Sequence, residues 1–125
     1  MDNSRDPRIQ IYTNLDHVQK DMEDAAKERK DEIKNEAKEQ LKDIKSEMKD
    51  LKQAAKDSFE QYKSTKENSG DPLASEKIST AKEATKVVTK GIENDYEATK
   101  DQIERETDHR INSIDNMLDN SNNKD

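Results

Sequence analysis

Between Leu15 and Lys66 the chain contains neither glycine nor proline. The filling is lysine, glutamate, aspartate, alanine, glutamine, leucine and methionine, mostly strong helix formers. An uninterrupted helix of about 50 residues at 1.5 Å per residue is about 75 Å long. No globule of 125 residues encloses it. The stretch therefore restricts the chain to extended helical architectures.

The apolar residues of this stretch recur in steps of eleven. Ile11, Met22, Ile33, Ile44 and Ala55 form one series, and Leu15, Ala26, Ala37, Met48 and Phe59 a second. Val18, Arg29, Gln40, Leu51 and Tyr62 form a third, broken in the middle. Eleven residues make three turns at about 3.67 per turn, so the three series share one helical face. Later in the chain the step returns. Ala81, Ile92, Ile103 and Ile114 lead, Thr85, Tyr96, Thr107 and Leu118 follow, and Val88, Thr99 and Arg110 come third, with Ile111 expected to replace Arg110 in the core.

Between the two stretches lies Glu67-Asn68-Ser69-Gly70-Asp71-Pro72. Asn68 or Gly70 suits a left-handed C-cap, and Asp71-Pro72 suits the cap and first position of a new helix. Ser75 is a second cap candidate. The fold expected is all-α: a long antiparallel helical hairpin, a two-helix coiled coil with eleven-residue repeats, dimerising into a four-helix bundle. Helix 1 is expected over about 10–66, the turn over 67–72, helix 2 over about 73–118 and a disordered polar tail over 119–125, all in one elongated domain. Met1 to Asp6 reads as a frayed tail, with Pro7 at the helix start and Thr13 or Asn14 as later caps. Gly91 interrupts the second helix. It either admits a close neighbour or is merely tolerated, at about 1 kcal/mol against alanine.

Composition narrows the function classes. Only 27% of the residues are hydrophobic and 42% are charged, with no tryptophan and one phenylalanine. That is too little apolar material for a compact core. With no cysteine, disulfide and thiolate chemistry are excluded. No apolar run approaches the roughly 20 residues that cross a bilayer. Met1 to Arg8 is polar and has no apolar segment behind it, so a cytoplasmic location is expected.

The flanks of the apolar face are sorted by charge. One flank of the first helix carries Lys27, Lys34, Lys38, Lys45, Lys49 and Lys56, and the equivalent flank of the second carries Glu93, Glu97, Glu104, Asp108, Asp115 and Asp119, with Lys82 and Lys86 as exceptions. Equivalent flanks meet in an antiparallel pair. Folding back at Gly70 should set Lys45 near Asp95 and Glu97, and Lys38 near Glu104. Exposed pairs are worth roughly 0.2–1 kcal/mol each. Their use is to select alignment.

Catalytic patterns are scarce. His17 and His109 sit at levels about 20 Å apart along such a hairpin, too far to share a metal. No His-Glu-x-x-His pattern and no glycine-rich phosphate loop occur. Carboxylates on a convex surface lack the cleft that shifts a pKa. No enzyme activity, cofactor or metal is expected. Nucleic acid is not expected as a partner, because acidic rows run beside the lysine row and the net charge is −7.

The expected function is therefore a non-catalytic scaffold, adaptor or spacer acting through Ile33, Leu41, Ile44, Met48, Leu51, Phe59 and Tyr62 on the first helix. Val88, Ile92, Tyr96, Ile103, Ile111, Ile114 and Leu118 complete the face on the second. A seam containing Ala26, Ala37, Ala55, Thr85 and Thr107 scarcely offsets the ordering entropy of two long helices. A homo-oligomer and a further protein partner are expected, with weak membrane-surface contact as the competing reading. The stretches Ala37 to Glu67 and Ala81 to Lys100, with the run Ala-Lys-Glu-Ala-Thr-Lys, resemble the repeats of late-embryogenesis-abundant and apolipoprotein-type proteins. That resemblance implies an amphipathic lipid-surface or stress-protective role. Lipid-surface helices prefer lysine on both edges of the apolar face, whereas here lysine takes one edge.

Overall fold

A computed structural model describes the backbone over residues 7–122 and the side chains over residues 15–120. Two helices, α1 (Pro7–Glu67, 61 residues) and α2 (Ala74–Asn122, 49 residues), pack against each other as a hairpin. Expectations placed on Met1 to Asp6 and on the last three residues lie outside the described residues.

α1 begins at Pro7, whose missing N–H is no loss in a first turn. Thr13 and Asn14 are thus interior positions, not caps. α2 runs to Asn122, four residues beyond the expected end at 118. Asp119 to Asn122 have helix propensities only a few tenths of a kcal/mol below good formers, and no glycine or proline stands there to stop the helix.

The link is built as its residues dictate. Gly70 has a φ of 72°, the left-handed conformation that a Cβ opposes. The Asn68 amide donates to the Ser64 carbonyl and the Ser69 hydroxyl to the Lys66 carbonyl, which closes the end of α1. Asp71 then caps α2. Its Oδ1 accepts from the Leu73 amide at 2.8 Å, and its Oδ2 accepts from Lys77 Nζ at 2.6 Å. Lys66 reaches the same carboxylate at 3.8 Å and lies over the Tyr62 ring. Ser75 is inside α2 and is not the cap.

These bonds fix the direction in which acid and base act on the link. The Lys77 hydrogen bond, with that of the Leu73 amide, holds the Asp71 carboxyl below its ordinary value. The Asp71 hydrogen bond raises Lys77. The Asp71 contribution is complete above the ordinary carboxyl value and is lost as pH falls through the lower folded value, in the range below about pH 4. The Lys77 contribution is complete below the ordinary lysine value and is lost as pH rises through the higher folded one, above about pH 10. Helix melting followed by circular dichroism should show both limbs. Asp71→Asn should flatten both.

The contacts divide the chain into two compact units: a terminal unit (Met1–Lys38 with Glu104–Asp125) and a turn unit (Glu39–Ile103). In the terminal unit, Ile33 and Ala37 are buried, and Ala26, Lys30, Thr107, Ile111, Ile114 and Leu118 are half-buried. In the turn unit, the half-buried positions of α1 include Leu41, Ile44, Met48, Lys52, Ala55, Phe59 and Lys63. Those of α2 include Ile78, Ala81, Thr85, Thr89, Ile92, Tyr96, Lys100 and Ile103. Ile33, 2% exposed, is the most enclosed side chain described.

The seam corrects the expected third series on each helix. Arg29, Gln40, Leu51 and Tyr62 are exposed, and Lys30, Leu41, Lys52 and Lys63 are turned inward instead. On α2, Val88, Thr99 and Arg110 are exposed while Thr89, Lys100 and Ile111 are covered. Each helix is rotated toward its charged flank. A lysine stem can lie along an apolar seam while its ammonium reaches a carboxylate opposite. Lys30 Nζ lies 2.7 Å from Asp115 Oδ1, and Lys52 hydrogen-bonds Glu93.

Those pairs differ from the expected ion pairs, although facing apolar residues such as Ile44 with Tyr96 and Met48 with Ile92 keep the expected levels. Lys38 and Lys45 make no ion pair among the described residues, and Lys52 meets a partner a little over one turn beyond the level that a fold at Gly70 implies. Side chains on a helix lean toward its N-terminus. Lys52 therefore leans away from the link and Glu93 leans toward it, so their tips meet although their Cα atoms are offset.

Gly91 faces open space. A methyl group built there meets no neighbouring atom within 4 Å, so the glycine is tolerated and not required by a close approach. Gly91→Ala should raise stability by about 0.5–1 kcal/mol. Gly70→Ala should lower it by roughly 1–2 kcal/mol, because of the left-handed backbone. The two shifts of the urea midpoint should have opposite signs.

Candidate functional site

Of the expected face, Ile33 is buried. Leu41, Ile44, Met48, Phe59, Ile92, Tyr96, Ile103, Ile111, Ile114 and Leu118 are half-buried in the seam. Leu51 (50% exposed), Tyr62 and Val88 are not. These three share the turn unit with two further exposed side chains, Leu73 and Val87.

The geometry follows from adjacent sequence positions. Leu51 and Lys52 are one residue apart, hence about 100° apart around α1. They flank the seam on opposite edges. The Lys52 edge carries the hydrogen bond to Glu93, which holds the Glu93 carboxyl below its ordinary value. The Leu51 edge is open. A groove of about 210 Å³ runs there, lined by Ile44, Glu47, Met48, Leu51, Ile92, Asp95, Tyr96 and Thr99. Its floor is apolar. Its walls carry one carboxylate from each helix. Nearer the link, a second groove is lined by Tyr62, Leu73, Thr80, Ala81 and Ala84, with Glu76 and Lys77 at the rim.

The terminal unit has its own apolar opening of about 490 Å³. It is lined by Met22, Ala25, Ala26, Arg29, Ile114, Met117, Leu118 and Asn120. Leu15 and Val18 are exposed at helical spacing before Met22. Arg29 stands at the rim, 3.0 Å from Glu32 and 3.8 Å from Glu36, and Glu36 also takes Arg110 at 3.2 Å. Met22 and Met117 give this opening unbranched, adaptable walls.

The exposed apolar residues that the stripe reading passes over include Leu73, Ala84, Val87 and Met117. Ala84 and Met117 lie on α2 in one eleven-residue series that Leu73 of the link extends backwards, with Asp95 and Glu106 between them. Lys30, Lys52 and Lys63 were missed for a different reason: a pattern of apolar letters does not register an aliphatic lysine stem.

Among the described residues no group of three histidine, cysteine, aspartate or glutamate side chains is gathered as a metal site would require. His17 and His109 are both exposed. No helix among the described residues is long and apolar enough to cross a membrane. What the molecule presents is a small all-helical unit with large apolar side chains outside its core. Against protein-family models, curated proteins and solved structures, the chain has no match.

Proposed function

We propose that the protein is a non-catalytic amphipathic module that lays the open apolar side of its helices on a lipid surface, as lipid-surface or stress-protective helical proteins do. The observation that carries this reading is the exposure of Leu51, Tyr62 and Val88 beside a seam whose opposite edge is closed by charge. Leu51 and Tyr62 each line an apolar groove of the turn unit, and exposed apolar surface of this kind marks an interaction site. Helices with one apolar and one charged side bind at the headgroup boundary in proportion to buried apolar area. The covered positions also step by four, three and four residues along both helices. That spacing supports an eleven-residue repeat, which keeps one face aligned over many turns.

A second reading is a protein-interaction module (scaffold, adaptor or spacer) acting as a dimer. One observation favours it: only Ile33 and Ala37 are buried among the described side chains, so a second copy could complete a four-helix core. Light scattering and vesicle flotation separate the two. A monomer that floats with vesicles supports the lipid reading. A stable dimer that ignores vesicles assigns the same face to a second copy.

A further inference from the structure

We infer that the lipid surface this face takes is zwitterionic rather than anionic. The inference rests on the lipid reading above and concerns the charge around the face. In the turn unit, the groove beside Leu51 is walled by Glu47 of α1 and Asp95 of α2. Neither carboxylate has an ion-pair partner among the described residues. The groove beside Tyr62 and Leu73 has Glu76 and Lys77 at its rim. Lys77 is hydrogen-bonded to Asp71, and Lys66 is drawn to the same carboxylate. Lys66 and Lys77 share the single Asp71 carboxylate and Glu76 balances the second cation, so this rim is neutral, and the uncompensated charge of the two grooves is that of Glu47 and Asp95.

The lysine row of α1 in this unit does not reverse that sign. Lys45, Lys49 and Lys56 fall by helical spacing beyond the Lys52 edge, across the seam from Leu51. Helices that dock on anionic lipid place cations at the border of the apolar face. Each such cation is worth about fivefold in affinity. Here the border is acidic, and the whole chain carries a net charge of −7. A phosphatidylcholine surface has no net charge and presents its ammonium outermost. Glu47 and Asp95 can meet that ammonium while Leu51 and Tyr62 enter between the headgroups.

The test is flotation of the full chain with unsaturated phosphatidylcholine vesicles, and with the same vesicles containing about one third phosphatidylserine, at low and high salt. Binding should be strong to the first. It should fall on the order of tenfold with the second at low salt and recover as salt screens the repulsion. Glu47→Gln with Asp95→Asn should restore binding to the anionic vesicles by about fivefold for each charge removed, with binding to phosphatidylcholine kept. Both positions are exposed, so the variant should fold. Wild-type binding to anionic vesicles that equals or exceeds the neutral case overturns the charge assignment and leaves the lipid reading intact. A double variant that discriminates as the wild type does also overturns it, because the rim would then lie outside the contact. A chain that floats with neither vesicle overturns the lipid reading itself.

Discussion

Ile33→Asp should unfold the terminal unit, with a large loss of helix in circular dichroism at 25 °C. Ile33 is 2% exposed. A carboxylate there would lose its water and gain no cation, since Lys30 is already held by Asp115. An uncompensated buried charge costs several kcal/mol. Even the milder Ile33→Ala should cost about 2–4 kcal/mol through lost transfer energy and the cavity left behind. Domains of this kind have total stabilities of about 5–15 kcal/mol, so the aspartate alone consumes much of the margin. Leu51→Asp is the control. The sequence pattern puts Leu51 in the seam, where aspartate would be equally damaging. The structure puts it at 50% exposure on the open edge, where an aspartate keeps its water, so its cost should be well below that of the buried change at Ile33. Equal melting behaviour of the two variants would contradict the seam described here.

Leu51→Ser, Tyr62→Ser and Val88→Ser together should lower vesicle affinity on the order of hundredfold while the helix content stays unchanged. Full burial of one such side chain is worth about 1.5–3 kcal/mol. Insertion at a headgroup boundary recovers part of that, so three side chains at about 1 kcal/mol each give the stated factor. All three are exposed in the hairpin, and their loss removes little from the fold. The readout is the bound fraction against lipid concentration. A triple variant that still binds as tightly as wild type would move the contact to another part of the surface, with the Met22 and Met117 opening next in line.

Much of this architecture is legible in the residues. The two glycine-poor stretches, the break at Asn68 to Pro72, the Asp71 cap and the covered positions Ile33, Ala37, Ile44, Met48, Ala55 and Phe59 of α1 follow from propensity and spacing, whereas Leu15 and Met22 of the same expected series are exposed. What the residues do not display is the rotation of each helix about its own axis. Leu51 and Lys52 both carry enough aliphatic length to cover a seam. The choice between them depends on what stands opposite, and opposite stands Glu93. A hydropathy pattern assigns lysine to water and so turns the helix the other way. The same error places Leu51, Tyr62 and Val88 inside the seam, whereas the structure leaves them exposed at its open edge. The offset of the ion pairs is hidden for a related reason: spacing along the chain fixes Cα levels, whereas lysine and glutamate meet at their tips.

The link has a kinetic consequence. Asp71 and Lys77 are six residues apart, Lys52 and Glu93 are 41 apart, and Lys30 and Asp115 are 85 apart. Loop-closure entropy rises with the logarithm of that separation, and contacts near in sequence form first. Closure therefore starts at the Asp71 cap and proceeds like a zip, each closed pair shortening the loop that the next must bridge. Opening along the same path runs the other way, starting from the pairs farthest from the link. Residues near the link then govern the folding rate, and residues near the ends govern the unfolding rate.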